Sequence, residues 1–78
     1  MNNALLENIE KLHTTELGVL RIRKNLHLHN EDVVMFCKQK TKEAISIVRK
    51  GKNWYVAVDD FVITINVHSY TIITAHKK

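Results

Sequence analysis

Proline is absent from this 78-residue chain, cysteine occurs once and glycine twice. Each scarcity excludes something. A single cysteine, Cys37, leaves no disulfide within the chain, and a lone thiol fits a reducing compartment, so a cytoplasmic location is expected. Glycines only at Gly18 and Gly51 leave no glycine-rich phosphate loop, which argues against a nucleotide-dependent enzyme. No proline- or glycine-rich linker, repeat or low-complexity stretch divides the chain, and its length suits one domain, residues 1–78. No apolar run approaches the roughly 18 residues a membrane span needs. The first residues, Met-Asn-Asn-Ala-Leu-Leu-Glu-Asn, lack the basic start and apolar stretch of a signal peptide, so no membrane partner is expected. A chain this short buries only about 60–65% of the surface its unfolded form exposes. Small folds usually add a staple, and without disulfides self-association or a metal remains.

What is present divides the chain in two. Leu5, Leu6, Ile9 and Leu12 recur at helical spacing over Ala4–Leu12. Thr14 or Thr15 is placed to cap a second helix, with Glu16 in its first turn at the positive end of the helix dipole. Its leading stripe is Leu17, Leu20, Arg21 and Lys24, widened by Val19, Ile22 and Leu26. Gly18 inside it reads as a close-packing position. Asn30 is the expected cap of a third helix that ends in Lys38, Lys40 and Lys42, where positive charge suits the C-terminus. The helical segment is expected over residues 3–43.

From Ala44 the apolar period changes from about 3.6 to 2. The expected strands are Ala44–Lys50, Asn53–Val58, Phe61–Val67 and Tyr70–His76. They are separated by Gly51-Lys52, Asp59-Asp60 and His68-Ser69, each a two-residue hairpin loop. Such loops fix the pairing: Ile47 with Val56, Ile45 with Val58, Val58 with Phe61, Val56 with Ile63, Trp54 with Ile65, Val67 with Tyr70 and Ile65 with Ile72. One face then collects Ile45, Ile47, Trp54, Val56, Val58, Phe61, Ile63, Ile65, Val67, Tyr70 and Ile72, all apolar or aromatic. A one-residue slip in any hairpin would scatter this set, so the mutual consistency predicts an antiparallel meander over 44–76. The fold class is α+β, two or three N-terminal helices covering one face of a four-stranded sheet. The other face, with Tyr55, Val62, Thr64 and Ile73, is left open, a contact surface for a second copy or another partner.

The net charge is +4. Residues 44–78 carry five Lys/Arg against Asp59 and Asp60, whereas residues 1–43 carry seven against six. A basic half attracts nucleic acid or an acidic protein, although plain solubility explains it equally. Arg49, Lys50 and Lys52 run directly into Trp54 and Tyr55. Cations beside an exposed aromatic can hold a phosphate and stack a base of single-stranded RNA. Trp54 faces the core in this register, which leaves Tyr55 for the stacking. Arg21 and Lys24 form a second basic stripe, or simply a solvated helix face. His76, followed by Lys77 and Lys78, is the candidate acid–base group for a phosphodiester, and a plain strand-end histidine is the alternative. His68 lies in the third loop, at the opposite end of the last strand. His27 and His29 have chelating spacing but no neighbouring cysteine, so neither a metal nor another cofactor is expected.

The stretches LHTTELGVLRIRKNL (12–26), RKGKNWYV (49–56) and ITINVHSYTIITAHK (63–77) resemble a family of short bacterial proteins known as a domain of unknown function. That resemblance implies an intracellular protein and carries over no activity and no residue roles. A looser similarity, helices followed by an antiparallel sheet ending in YTIITAHK, is to small ribonuclease toxins of the barnase–colicin–RelE type, and it transfers no catalytic set. Two functions follow as expectations: an RNA-directed protein, binder or metal-independent ribonuclease, or a protein-interaction module acting through the open face, as a homodimer or as a regulator or phage-type inhibitor.

Overall fold

The computed structural model describes residues 4–78, so residue 3 of the expected helical segment lies outside it. Helix α1 (Ala4–Glu7) runs into a 3-10 turn (Ile9–Lys11), followed by α2 (Glu16–Leu26) and α3 (Val33–Lys42). Four strands follow: β1 (Ser46–Lys50), β2 (Asn53–Val58), β3 (Phe61–Asn66) and β4 (Ile72–Lys77). They form one antiparallel sheet in the order β1-β2-β3-β4. The α+β architecture expected from the sequence is therefore present.

Thr15 caps α2, its hydroxyl accepting the Gly18 amide at 3.0 Å, and Glu16 occupies the first turn. The helix stops at His27, whose left-handed backbone (φ 57°) terminates it without a glycine. Its inward face is Gly18, Ile22 and Leu26, with Val19 partly covered. This corrects the stripe read from sequence, because Leu17 and Leu20 are exposed. The cause lies before the helix. His13 bridges β4 in parallel through His13 N to Tyr70 O (3.3 Å) and Ile72 N to His13 O (2.7 Å). The Thr14 hydroxyl donates to Ile72 O at 2.8 Å, and Asn25 Nδ2 to Ala75 O at 3.1 Å. This seam sets the rotation of α2 and turns Gly18 inward, where a Cβ would lie 2.1 Å from Thr14 Oγ1.

Asp32, not Asn30, caps α3, its carboxylate accepting the Met35 amide at 3.1 Å. Glu31 is engaged two residues back, accepting the His29 amide at 2.9 Å, which ends the loop and starts the helix at Val33. That amide, with neighbouring backbone donors, holds the Glu31 carboxyl below its usual range. Helix α3 buries Val33, Cys37 and Thr41, and Phe36 stacks on Phe61 at 5.9 Å.

The first two hairpins have the expected registers, with Ile47 opposite Val56, Trp54 opposite Ile65 and Val58 opposite Phe61. Both loops carry positive φ at their first residue, Gly51 (62°) and Asp59 (51°). The third hairpin differs in two ways. Its loop is Val67–Tyr70 rather than His68-Ser69, because Asn66 Oδ1 accepts the amides of His68 and Ser69 and the chain returns through Tyr70 at φ 59°. Ile65 still faces Ile72, but a bulge then shifts β4 by one residue, pairing Thr64 with Thr74, Ile63 with Ala75 and Val62 with His76. Ala75 consequently joins the core, contrary to the expected alternation. The core face otherwise contains Trp54, Val56, Val58, Phe61, Ile63, Ile65 and Ile72, all buried against Leu5, Leu12, Ile22, Leu26, Val33 and Cys37. Ile45 is the second exception. It is 74% exposed, and the principal helix–sheet contacts are those of α2 with β4 and α3 with β2.

Two stability measurements test this packing. Gly18→Ala should lower stability by about 1–2 kcal/mol in chemical denaturation. The gain in helix propensity of ~1 kcal/mol is smaller than the combined cost of overpacking and of displacing the Thr14 hydroxyl from Ile72. In a Thr14→Ala background the loss should shrink. Burial pushes the Cys37 thiol up to about 12. A disulfide reagent at mildly alkaline pH should therefore leave it unmodified until the protein unfolds.

Candidate functional site

The helices cover one side of the sheet, and the other side is uncovered. Its rows follow from the pairing: Ser46, Ala57, Val62 and His76; then Val48, Tyr55, Thr64 and Thr74; then Lys50, Asn53 and Asn66. Ile73, the additional residue of the bulge, is exposed as well. Tyr55 stands near the middle at 37% exposure, with Val48 beside it at 54%. Alternation on β2 makes this arrangement: Trp54 and Val56 are buried, so Tyr55 between them must face outward.

A shallow depression of about 520 Å³ lies between Tyr55 and the first hairpin, lined by Val48, Lys50, Gly51 and Tyr55. Gly51 contributes no side chain, and its positive φ turns the chain there. Lys50 and Tyr55, grouped by sequence, are therefore together in space, and Lys52 is exposed in the adjoining loop, its carbonyl bonded to the Val67 amide at 2.9 Å. Arg49 pairs with Trp54 and belongs to the helical side of β1. Arg21 and Lys24 are exposed on α2, in the layer opposite the depression.

The bulge places His76 on the open face, across from Val62, but at the other end of the sheet. Strand spacing and rise put it roughly 12 Å from Tyr55 and roughly 20 Å from Lys50. Its surroundings are acidic as well as basic. Lys77 lies 4.0 Å from Asp60, and Lys40 bonds Asp59 at 2.6 Å, a hydrogen bond that holds the Lys40 ammonium above its usual range. His27 and His29 lie in the α2–α3 connection. Among the described residues no group of three or more His, Cys, Asp or Glu could hold a metal ion.

Sequence reasoning passed over His13. Its Nδ1 lies 2.9 Å from Lys11 O and its Nε2 3.1 Å from Thr71 Oγ1. A carbonyl only accepts, so Nδ1 carries the proton shared with Lys11 O. Thr71 Oγ1 is 2.7 Å from Ser69 Oγ, which in turn lies 3.1 Å from Asn66 Oδ1. This exposed chain of polar groups sits at the same end as Lys50 and Lys52. It closes the outer edge of β4 and orders the β3–β4 loop. No local pattern announces it, because His13 and Thr71 are 58 positions apart.

The chain belongs to the family described as protein of unknown function (DUF3781), whose model matches residues 6–76. No curated protein matches it, and neither does any solved structure. Nothing in these comparisons supports the looser likeness to ribonuclease toxins. Among the described residues, no helix is long and apolar enough to cross a membrane.

Asn66 is the residue on which the loop end of this surface depends, since its one oxygen serves two amides and a hydroxyl. Asn66→Ala should cost about 1–2 kcal/mol in denaturation. It should also raise amide exchange at His68 and Ser69 while leaving exchange at Val56 and Ile63 unchanged.

Proposed function

We propose that the open sheet face binds single-stranded RNA, with Tyr55 stacking a base and Lys50 and Lys52 holding flanking phosphates. The observation that carries this reading is the exposed Tyr55 beside a depression rimmed by Lys50, on a face no helix covers. A planar ring and a nearby ammonium meet the two needs of an unpaired nucleotide, and Gly51 leaves room for its backbone. Arg49, from the reverse side of β1, and Arg21 and Lys24, from the helical layer, add only to the long-range field. Binding is favoured over cleavage because His76 stands far from these cations. A ribonuclease would need the RNA to continue along the face as far as His76.

The exposed Val48 and Ile73 favour a second reading, in which the same face takes a protein partner such as a regulator or inhibitor target.

Fluorescence anisotropy with an unstructured oligoribonucleotide separates the two. With two or three phosphates neutralised, affinity should fall about 7- to 20-fold for a fourfold rise in salt. Tyr55→Ala should cost a further loss of about 1–3 kcal/mol, and Lys50→Glu should weaken binding at low salt. Absence of binding at low salt, or affinity that ignores both substitutions, removes the RNA reading. If RNA is cut, loss of cleavage with binding retained in His76→Ala would assign that histidine the chemistry.

A further inference from the structure

The two ends of the open face differ in chemistry. At the end of the β2–β3 turn the last row is Ser46, Ala57, Val62 and His76, and the turn itself is Asp59-Asp60. Asp59 holds Lys40 at 2.6 Å and Asp60 lies 4.0 Å from Lys77, so the cations there are matched by carboxylates. The other end closes on polar groups alone. Lys50 pairs with Asn53, and Asn53 with Asn66. The Asn66 amide donates to Thr71 O at 2.9 Å, and Thr71 stands across from His13 in the parallel bridge. Side chains continue the row: Asn66 Oδ1 lies 3.1 Å from Ser69 Oγ, Ser69 Oγ 2.7 Å from Thr71 Oγ1, and Thr71 Oγ1 3.1 Å from His13 Nε2. A polar row therefore crosses every strand, with Lys50 at one edge and His13 at the other, a width of roughly 19 Å at the usual strand spacing. None of its members is acidic, and neither is any residue of the two loops beyond it, Gly51-Lys52 and Val67–Tyr70. Lys50, Lys52 and His13 are exposed, and among the described residues no carboxylate pairs with them.

We infer that bound RNA crosses the strands along this row, its backbone passing from Lys50 over Asn53, Asn66 and Thr71 to His13, and does not run down β2 toward His76. The inference deepens the RNA reading and rests on it. Electrostatics choose the direction. A polyanion leaving Lys50 meets amides, hydroxyls and an imidazole along the row, and carboxylates if it turns down the strands. Amide and hydroxyl side chains bond phosphate oxygens and ribose hydroxyls without reading sequence. The next row inward carries Tyr55, with Val48 and Thr64 on either side, so the bases of a strand laid on the outer row have the ring within one step. The depression beside Tyr55 opens between the two rows, since Lys50 and Val48 both line it. The track takes at most about six nucleotides at the ~3.4 Å rise of stacked bases, and fewer where they are splayed. His13 then has two duties on separate atoms: its backbone ties α2 to β4, and its ring ends the track.

Anisotropy of an unstructured oligoribonucleotide, read as the slope of log affinity against log salt, tests the path. His13→Lys keeps the backbone bonds of the seam and sets an ammonium at the far end of the row. It should tighten binding at low salt and steepen the slope by about 0.7, the effect of one added phosphate contact on a single strand. Ser69→Lys, exposed in the loop beside Thr71, is a second variant at the same end and should act alike. His76→Lys is the control, the same charge on the same face. It lies roughly 16 Å from His13 along β4, well beyond the ~8 Å reach of a charge at physiological salt, and should leave the slope unchanged. A slope unmoved by both His13→Lys and Ser69→Lys, or steepened as much by His76→Lys, overturns the path. The RNA reading would then still stand on the unsubstituted protein and its dependence on Tyr55. No binding by the unsubstituted protein at low salt removes both.

Discussion

The seam between residues 13–14 and the outer edge of β4 organises the molecule. Two backbone hydrogen bonds from His13 and a side-chain bond from Thr14 fasten the start of α2 to the last strand. Asn25 fastens its other end to the same strand. Once α2 is held along β4, the helical layer is displaced toward that side of the sheet. Helix α3 lies over β2. One tie thus satisfies the β4 edge and gives α2 its rotation. Without it, the leucine stripe Leu17–Leu20 would compete with Ile22 and Leu26 for the sheet.

This tie also explains where the sequence is legible. The first two hairpins follow from alternation and loop length alone, because Ile47, Trp54, Val56, Val58, Phe61, Ile63 and Ile65 admit one common register. Thr15 and Glu16 announce the start of α2 by chemistry local to the chain. Three features escape such reading. Leu17 and Leu20 are as apolar as Ile22 and Leu26, and only the distant contact with β4 decides between the faces. Asn30 and Asp32 are both good caps, and the choice turns on Glu31 being drawn to the His29 amide. The bulge in β4 occurs within Ile72-Ile73-Thr74, where no glycine or proline marks it.

The candidate site follows the same division. Trp54 inward and Tyr55 outward is a two-residue alternation, readable from the strand pattern, and Lys50 beside Tyr55 follows from the two-residue loop. The separation of Arg49 onto the helical side is a consequence of the same parity. What cannot be read is the placement of His76. Strict alternation assigns it to the covered side of β4, and the bulge returns it to the open one, opposite Val62. The His13–Thr71 contact is still less accessible, since it belongs to the seam and not to any local element.

A small domain that leaves both a sheet face and a sheet edge uncovered gives up burial it can scarcely spare. On the face, exposed Tyr55 and Lys50 stand beside half-buried Asn53 and Asn66, with exposed Val48 and Ile73 on the same side. At the start of β1, Ile45 is exposed while its amide bonds Ala57 O at 2.8 Å, and Ile47 packs partly on the core. The exposure of both follows from the placement of α2 along β4 and α3 over β2.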